Sequence, residues 1–445
     1  MHFLELFINP VVLSFMLPIA TFVFRIALLI MLFVLIDLYV FQGFRTVLQS
    51  VPEKFRTSLR YLYWLLPILL FSVTLFFAAK YSVSGSSANT KMFPFFFGLF
   101  VLFYVPKLFW MVLLIAEDVF RLGAAGFKMI ANMVSPPDPN PAPGADLVLS
   151  RSQFLSQLGL IAAGIPFGSI AYGLIKGKYD YQVKRETIYF PNLPKAFDGL
   201  TIAQISDVHS GSFDDQKSVE RGIEMINQLE ADLVVFTGDL VNNVADEMEP
   251  WIPVFSKIKS KIGNFSILGN HDYGDYVKWD SKEAKQANLN RLVKTHEAIG
   301  FQLLRNQHHI LERNGEKIAI VGVENWGLPP FPQYGNLNAA VNGAENVPFK
   351  VLLSHDPSHW EAETIQHTSK PDLTLAGHTH GMQFGVEIAG FKWSPVRYKY
   401  PRWAGLYQEG LQYLYVNRGF GFLGFPGRVG ILPEITLLTL KTSVS

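Results

Sequence analysis

The sequence predicts two structural classes in one chain: a helical membrane region at the front, and behind it an α/β domain with a largely parallel sheet core. Three observations carry this expectation. At 445 residues the chain exceeds what one hydrophobic core usually organises, so at least two units are expected. Its hydrophobic fraction is 49% while only 17% of residues are charged, below the quarter usual in soluble domains, so part of it belongs in lipid. From about residue 195 long apolar runs give way to short ones alternating with amphipathic stretches, the texture of βαβ units.

In the membrane region, bounded at residues 1–178, four stretches are expected to span: 19–41, 61–79, 93–116 and 154–175. Each approaches the length of about 20 apolar residues that a bilayer requires. Pro67, Pro94 and Pro106 are tolerable in such helices. Arg25 and Asp37 fall in or near the first span, and both are expected to reach the membrane interface. Ser135–Ala145 (SPPDPNPAPGA) is too rich in proline for helix or sheet and reads as an extended linker before the fourth span. Arg45, Lys54, Arg56, Arg60, Arg121, Lys128 and Arg151 lie on one side of this arrangement, and Lys80, Lys91, Lys176, Lys178, Lys184 and Arg185 on the other. The excess is one residue, yet with the positive-inside rule it points the C-terminal domain outward. The stretch Ser150–Leu155 resembles a twin-arginine export signal with serine in place of one arginine, and points the same way. A multi-pass protein with an extracytoplasmic domain is expected.

The second unit, expected over 195–445, opens with a buried strand at Leu200–Ser206, a helix at Gln216–Leu229 whose Val219, Ile223, Ile226 and Leu229 share one face, and a strand at Asp232–Thr237. Further strands are expected at Asn264–Leu268, Lys317–Val323, Phe349–Ser354 and Asp372–Ala376, with short pieces near the C-terminus.

Sites in open α/β sheets form beyond the carboxyl ends of strands. After the expected strands come Asp207-Val208-His209, Gly238-Asp239, Gly269-Asn270-His271-Asp272, Ser354-His355 and Gly377-His378-Thr379-His380. Each contains a metal-ligating side chain. The chain has no cysteine, so disulfides and thiolate ligands are excluded, and a metal site must be built from His, Asp, Glu or Asn. A dinuclear site wants three or four protein ligands per ion and one bridging carboxylate. Asp239 suits the bridge, Asp207, His209 and His380 one ion, and Asn270, His355 and His378 the other. Such donors suit manganese, iron or zinc.

In this order, the five motifs resemble the pattern of the calcineurin-like metallophosphoesterase superfamily, over about residues 195–445. Val416-Asn417-Arg418-Gly419-Phe420-Gly421 and Pro433-Glu434-Ile435 are similar to the branch with N-terminal membrane segments. The resemblance implies a four-layer αββα sandwich, two metals at the positions named, and attack by a metal-bridging water or hydroxide. It makes His271 the histidine near the leaving-group oxygen, for transition-state stabilisation or general acid work. Asp272 is expected to orient it through the other ring nitrogen.

Among the other candidates, His296, His308, His309, His359 and His367 are expected at the surface. Arg418 and Arg428, in a glycine-rich stretch, are expected either to clamp a phosphate or to lie solvated in turns. The aromatics of Lys392–Tyr407 are expected first in the core, with a substrate groove or the membrane surface as the alternatives. The expected function is hydrolysis of a phosphate ester, a diester or pyrophosphate before a monoester, with a lipid-linked substrate as the version that explains the anchor. A membrane sensor or scaffold whose C-terminal domain only binds is the alternative. Lys plus Arg (38) nearly balances Asp plus Glu (37), so no polyanion is attracted in general and nucleic acid is not an expected partner.

Overall fold

Residues 10–84, 92–134 and 151–443 are described in the computed structural model of the chain. The Pro-rich stretch 135–145 and Ser150 lie outside them, as does the side chain of Arg25. The chain divides into Met1–Ala171 and Tyr172–Ser445.

The first unit holds α1 (Pro10–Leu48), α2 (Glu53–Ser84), α3 (Met92–Val134) and most of α4 (Arg151–Ile175). Among the described residues, three stretches are long and apolar enough to cross a membrane: Ala27–Leu48, Pro94–Met133 and Phe154–Ile175. The second expected span, 61–79, lies within α2, which is not one of these three. Pro67 and Pro106 sit inside unbroken helices. Asp37 departs from expectation. It is 1% exposed, pairs with Lys107 and accepts from Tyr104 Oη at 2.8 Å, while Tyr63 Oη donates to its carbonyl at 2.8 Å. Partners on α2 and α3 make burial cheaper than a reach to the interface, because a charge among packed helices must be paired.

In the second unit, β1 (Gln182–Phe190), ahead of the expected start at 195, pairs in parallel with β14 (Glu434–Thr442). β14 runs antiparallel to β2 (Thr201–Ile205), and β3 (Leu233–Phe236), β4 (Gly263–Ser266) and β5 (Gln302–Leu303) continue in parallel, in the order β1-β14-β2-β3-β4-β5. A second six-stranded sheet contains β6 (Gln307–Arg313), β7 (Glu316–Gly322), β8 (Lys350–Leu353), β9 (Leu373–Ala376), β12 (Gly405–Glu409) and β13 (Gln412–Val416), in the order β12-β13-β9-β8-β7-β6. A separate hairpin is formed by β10 (Val386–Ile388) and β11 (Phe391–Trp393).

Strand alternation explains the layers. Ile202, Leu233 and Val235 of the first sheet pack with Ile318, Ile320, Val351 and Leu375 of the second, forming the inter-sheet core. Their neighbours Ala203, Val234 and Phe236 point outward onto α5 (Gln216–Gln228), through Val219, Ile223 and Ile226. Ala319 and Val321 point the other way, onto Leu337 and Ala340 of α8 (Leu337–Val341). Period-2 side chains buried on both faces give the uninterrupted apolar runs seen in the sequence. The result is the expected αββα sandwich. Asp215 caps α5 by accepting from Ser218 N at 3.3 Å.

Candidate metal centre

β2, β3 and β4 of one sheet and β8 and β9 of the other are followed by the loops that carry the candidate ligands. Asp207, His209, Asp239, His378 and His380 all have positive φ, between 48° and 68°. Non-glycine residues adopt this left-handed conformation at a cost of order 1 kcal/mol each, a strain typical of functional turns. Gly238 and Gly377 make the turns possible. A Cβ on Gly238, which has φ of 96°, would lie 2.6 Å from Gly269 N, and one on Gly377 would lie 1.9 Å from Ser206 Oγ.

The turns bring the donors into two groups, Asp207 with His209 and His380, and Asp239 with His355 and His378, each group's ligating atoms lying within 4.8 Å of one another. His209 Nε2 and His380 Nε2 are 3.0 Å apart. Asn270 Oδ1 lies 3.2 Å from His355 Nε2 and 2.8 Å from His378 Nδ1, turned inward because its amide nitrogen donates to Tyr276 Oη at 2.8 Å. Asp239 Oδ2 faces both groups, 3.5 Å from His209 Nε2 and 3.2 Å from His355 Nε2. All are buried except His378, which is half-buried.

The donor set fits divalent cations. Two imidazole nitrogens facing each other at 3.0 Å can share only one proton, and the surrounding atoms are nearly all acceptors. Burial alone would lower the His355 imidazole, but Asp239 and Asp207 push it up to about 10. Burial raises the Asp207 carboxyl, yet His380 and His355 hold it below the usual range. Burial drives His209 the other way, well below the ordinary imidazole range. Packed together, the groups demand positive charge that imidazolium supplies poorly. His355 Nδ1 lies 2.7 Å from Thr237 O, which fixes its proton there and leaves Nε2 for a metal. His378 Nε2 meets Tyr400 Oη at 2.9 Å and Asp356 Oδ2 at 3.4 Å, leaving Nδ1.

Comparison with known proteins agrees with this geometry. The family model described as "Calcineurin-like phosphoesterase" matches residues 200–382, and that described as "Probable Calcineurin-like phosphoesterase, transmembrane domain" matches residues 21–178. An uncharacterized metallophosphoesterase of Bacillus subtilis, YkuE, is 32% identical over 302 residues, covering 66% of this chain and 99% of the relative. The chain belongs to the calcineurin-like metallophosphoesterases. A transmembrane protein with metallophosphoesterase domain from Danio rerio is 28% identical over 280 residues, 61% of this chain and 60% of that one. A Chlamydia trachomatis protein named UDP-2,3-diacylglucosamine pyrophosphatase LpxG is 29% identical over 283 residues, 52% of this chain and 81% of the relative. This is therefore a membrane member of a hydrolase family, with a domain that implies divalent metals.

Around the candidate ligands of this metallophosphoesterase, several residues depart from expectation. His271 N donates to Asp239 Oδ1 at 2.8 Å, and its Nδ1 meets Asn242 O at 2.7 Å. The expected orienting role of Asp272 is thus taken by a backbone carbonyl. Asp272, fully buried, instead accepts from the N–H groups of Asp239, Leu240, Val241 and Gly269 at 2.9, 2.8, 3.3 and 2.9 Å. It ties the turn after β3 to the turn after β4. Burial, then the charge of Asp239, raises its carboxyl, and the Gly269 N–H pulls it down.

Arg418 and Arg428 are neither solvated nor turned to a phosphate. Arg418 pairs with Glu434 and, at 3.1 Å, with Glu387. Arg428, wholly buried, donates to the carbonyls of Arg418 at 2.8 Å and Gly421 at 2.6 Å, with Nη2 3.2 Å from His380 Nδ1. Lone glycine-rich turns cannot bury their carbonyls unpaired, and a five-donor fork satisfies several at once. His296 and His359 are buried rather than at the surface. His359 fills the interior with Ser354 Oγ at 2.8 Å, and His296, on α7 (Lys282–Ala298), lies against Phe236. His308, His309 and His367 are half-buried, and none of the five is among the grouped ligands. Sequence reasoning missed Asn242, Tyr276, Asp356 and Tyr400. Asp356, adjacent to the candidate ligand His355, was the one with a signal.

Proposed function

We propose that this metallophosphoesterase hydrolyses a phosphodiester or pyrophosphate, with a lipid-linked substrate, using two metal ions held by Asp207, His209, Asp239, Asn270, His355, His378 and His380. The observation that carries the reading is the pair of buried donor groups with the Asp239 carboxylate facing both. Manganese, iron or zinc bound there would supply Lewis-acid charge and lower the pKa of a bound water. With Arg418 committed to Glu434 and Arg428 to backbone carbonyls, neither offers its charge to the phosphate. His271 is the proton donor to the leaving oxygen in this reading: Asn242 O holds Nδ1 and frees Nε2 for transfer. Tyr276 against His271, with ring centroids 4.5 Å apart, and Phe331 edge-on to His378 at 4.8 Å give an aromatic rim that suits an apolar leaving group and limits water.

The pyrophosphate and lipid parts draw on the anchor and on the name of the Chlamydia relative. The test uses the full chain in detergent with manganese, a chromogenic diester and monoester, and a diacylated nucleotide-sugar pyrophosphate beside its unacylated analogue. Turnover should require metal, favour the diester and the acylated compound, and disappear in Asp239→Asn. Equal rates on both nucleotide sugars would remove the lipid reading. Absence of turnover from protein that binds metal would favour the scaffold alternative. The charge pattern favours an extracytoplasmic catalytic unit. A cysteine at Glu312, in this cysteine-free chain, should react with an impermeant maleimide in intact cells; protection until lysis would place it inside.

A further inference from the structure

The hairpin of β10 and β11 is turned inside out relative to a soluble surface. Its register pairs Val386 with Trp393, Glu387 with Lys392 and Ile388 with Phe391. Directly opposed residues share a face, and alternate pairs take opposite faces. The charged pair faces the protein: Glu387 bonds Lys184 at 3.0 Å and Arg418 at 3.1 Å, while Lys392 donates to Ala404 O and lies 5.0 Å from the Tyr407 ring. The apolar pairs face out, with Ile388 69% and Phe391 61% exposed. Ala389 and Gly390, both at positive φ, form the tight connection that projects them. Tyr398, 80% exposed, follows between exposed Arg397 and Lys399. An outward apolar face above internal charge is an interaction surface rather than a core that failed to close.

Its neighbours in the chain indicate what covers it. The last turn of α4, Tyr172–Ile175, folds with the catalytic unit, and it ends a stretch apolar enough to span a bilayer. Gly173 O accepts from Arg428 N at 3.1 Å, and Val429 O accepts from Gly385 N at 2.9 Å, one residue before β10. The hairpin is therefore tied, through two backbone bonds, to the point where the chain leaves the span. Aromatic and aliphatic tips flanked by Arg and Lys are the composition that binds an anionic membrane surface.

We propose that the β10–β11 hairpin, with Tyr398, inserts into the interface of an anionic bilayer and seats the catalytic unit on it. The same segment reaches the metal centre, since Tyr400, two residues past Tyr398, touches His378. Seating would hold that centre at headgroup level. This holds whichever ester is cleaved.

The test exploits the absence of cysteine. Single cysteines at Ile388 and, as reference, at Glu312 on β6 are labelled with an environment-sensitive fluorophore in the full chain. The protein is placed in nanodiscs of phosphatidylcholine with or without phosphatidylglycerol, carrying nitroxide lipids. The Ile388→Cys label should be quenched several-fold more than the Glu312→Cys label, with blue-shifted emission, and more so in the anionic discs. Phe391→Cys is a second reporter should Ile388→Cys fold poorly. Quenching at both hairpin positions no greater than at 312 would overturn the proposal. So would disulfide-linked dimers through Ile388→Cys, which would assign the face to a second copy. No reading depends on turnover, so a failure here is separable from failure of the phosphoesterase reading.

Discussion

Replacing Asp272 by asparagine separates two roles that a carboxylate beside a catalytic histidine can play. In the structure Oδ1 serves Leu240 N and Val241 N, while Oδ2 serves Asp239 N and Gly269 N, both at 2.9 Å. An asparagine keeps one acceptor and presents an NH₂ to the other pair, leaving two buried N–H groups facing donors. At roughly 1–3 kcal/mol for each unsatisfied group, the cost is about 2–6 kcal/mol. For a unit of this size that corresponds to roughly 5–15 °C in melting midpoint. The four N–H groups that Asp272 gathers belong to the turns carrying the proposed ligands Asp239 and Asn270, so whichever pair loses its acceptor, metal affinity should fall with stability. The assay is intrinsic tryptophan fluorescence melting of the full chain, with and without manganese, beside the pH–rate profile. A normal midpoint and normal metal protection combined with a displaced pH–rate profile would refute the reasoning, and would return Asp272 to a role through His271.

Three further outcomes are expected. His271→Gln should lower kcat by about 10²–10⁴-fold on a substrate with a poor leaving group and much less with nitrophenolate, which needs no proton; an equal loss on both would exclude proton donation. Among the described residues His296 is buried without a hydrogen-bond partner for either ring nitrogen, and burial holds its imidazole down at about 3. Its contribution is fully present above the unfolded value near 6.5 and is lost as pH falls from there toward 3, because the unfolded chain takes a proton that the native one refuses; the whole interval is worth about 4–5 kcal/mol. His296→Phe should therefore flatten the decline in melting midpoint between neutral and mildly acid pH, and an unaltered decline would assign it elsewhere. Arg418→Ala should cost about 3–5 kcal/mol by stranding the buried Glu434 carboxylate, and adding Glu434→Gln should recover part of it in the same melting assay.

The legible parts of this protein were those written in local sequence. Strands such as Asp232–Thr237 announced themselves as apolar runs between a polar start and a glycine, and the structure has β3 at Leu233–Phe236. The ligand motifs were readable because each follows its strand within a few residues. What was not legible arises from contacts between distant residues. Nothing near Glu434 indicates that β14 threads between β1 and β2. Tyr400 carries no local sign that its hydroxyl meets His378 across a loop, and Asp37 reads as an interfacial charge until Lys107, on another helix, is beside it. Arg418 and Arg428 were misread because glycine-rich surroundings suggest solvent, whereas here the glycines let carbonyls crowd around a buried guanidinium.

The left-handed backbone at Asp207, His209, Asp239, His378 and His380 sets heat tolerance against the proposed metal capture within the same five residues. Asp239→Ala and Asp239→Gly delete the same carboxylate, but only glycine relaxes the turn. Without metal, the glycine form should outlast the alanine form on heating by about 1 kcal/mol or more. A copy of this domain released from chemistry would gain resilience by drifting toward glycine or asparagine at these positions. Directed evolution for thermal robustness alone should therefore disarm the enzyme before it damages the fold.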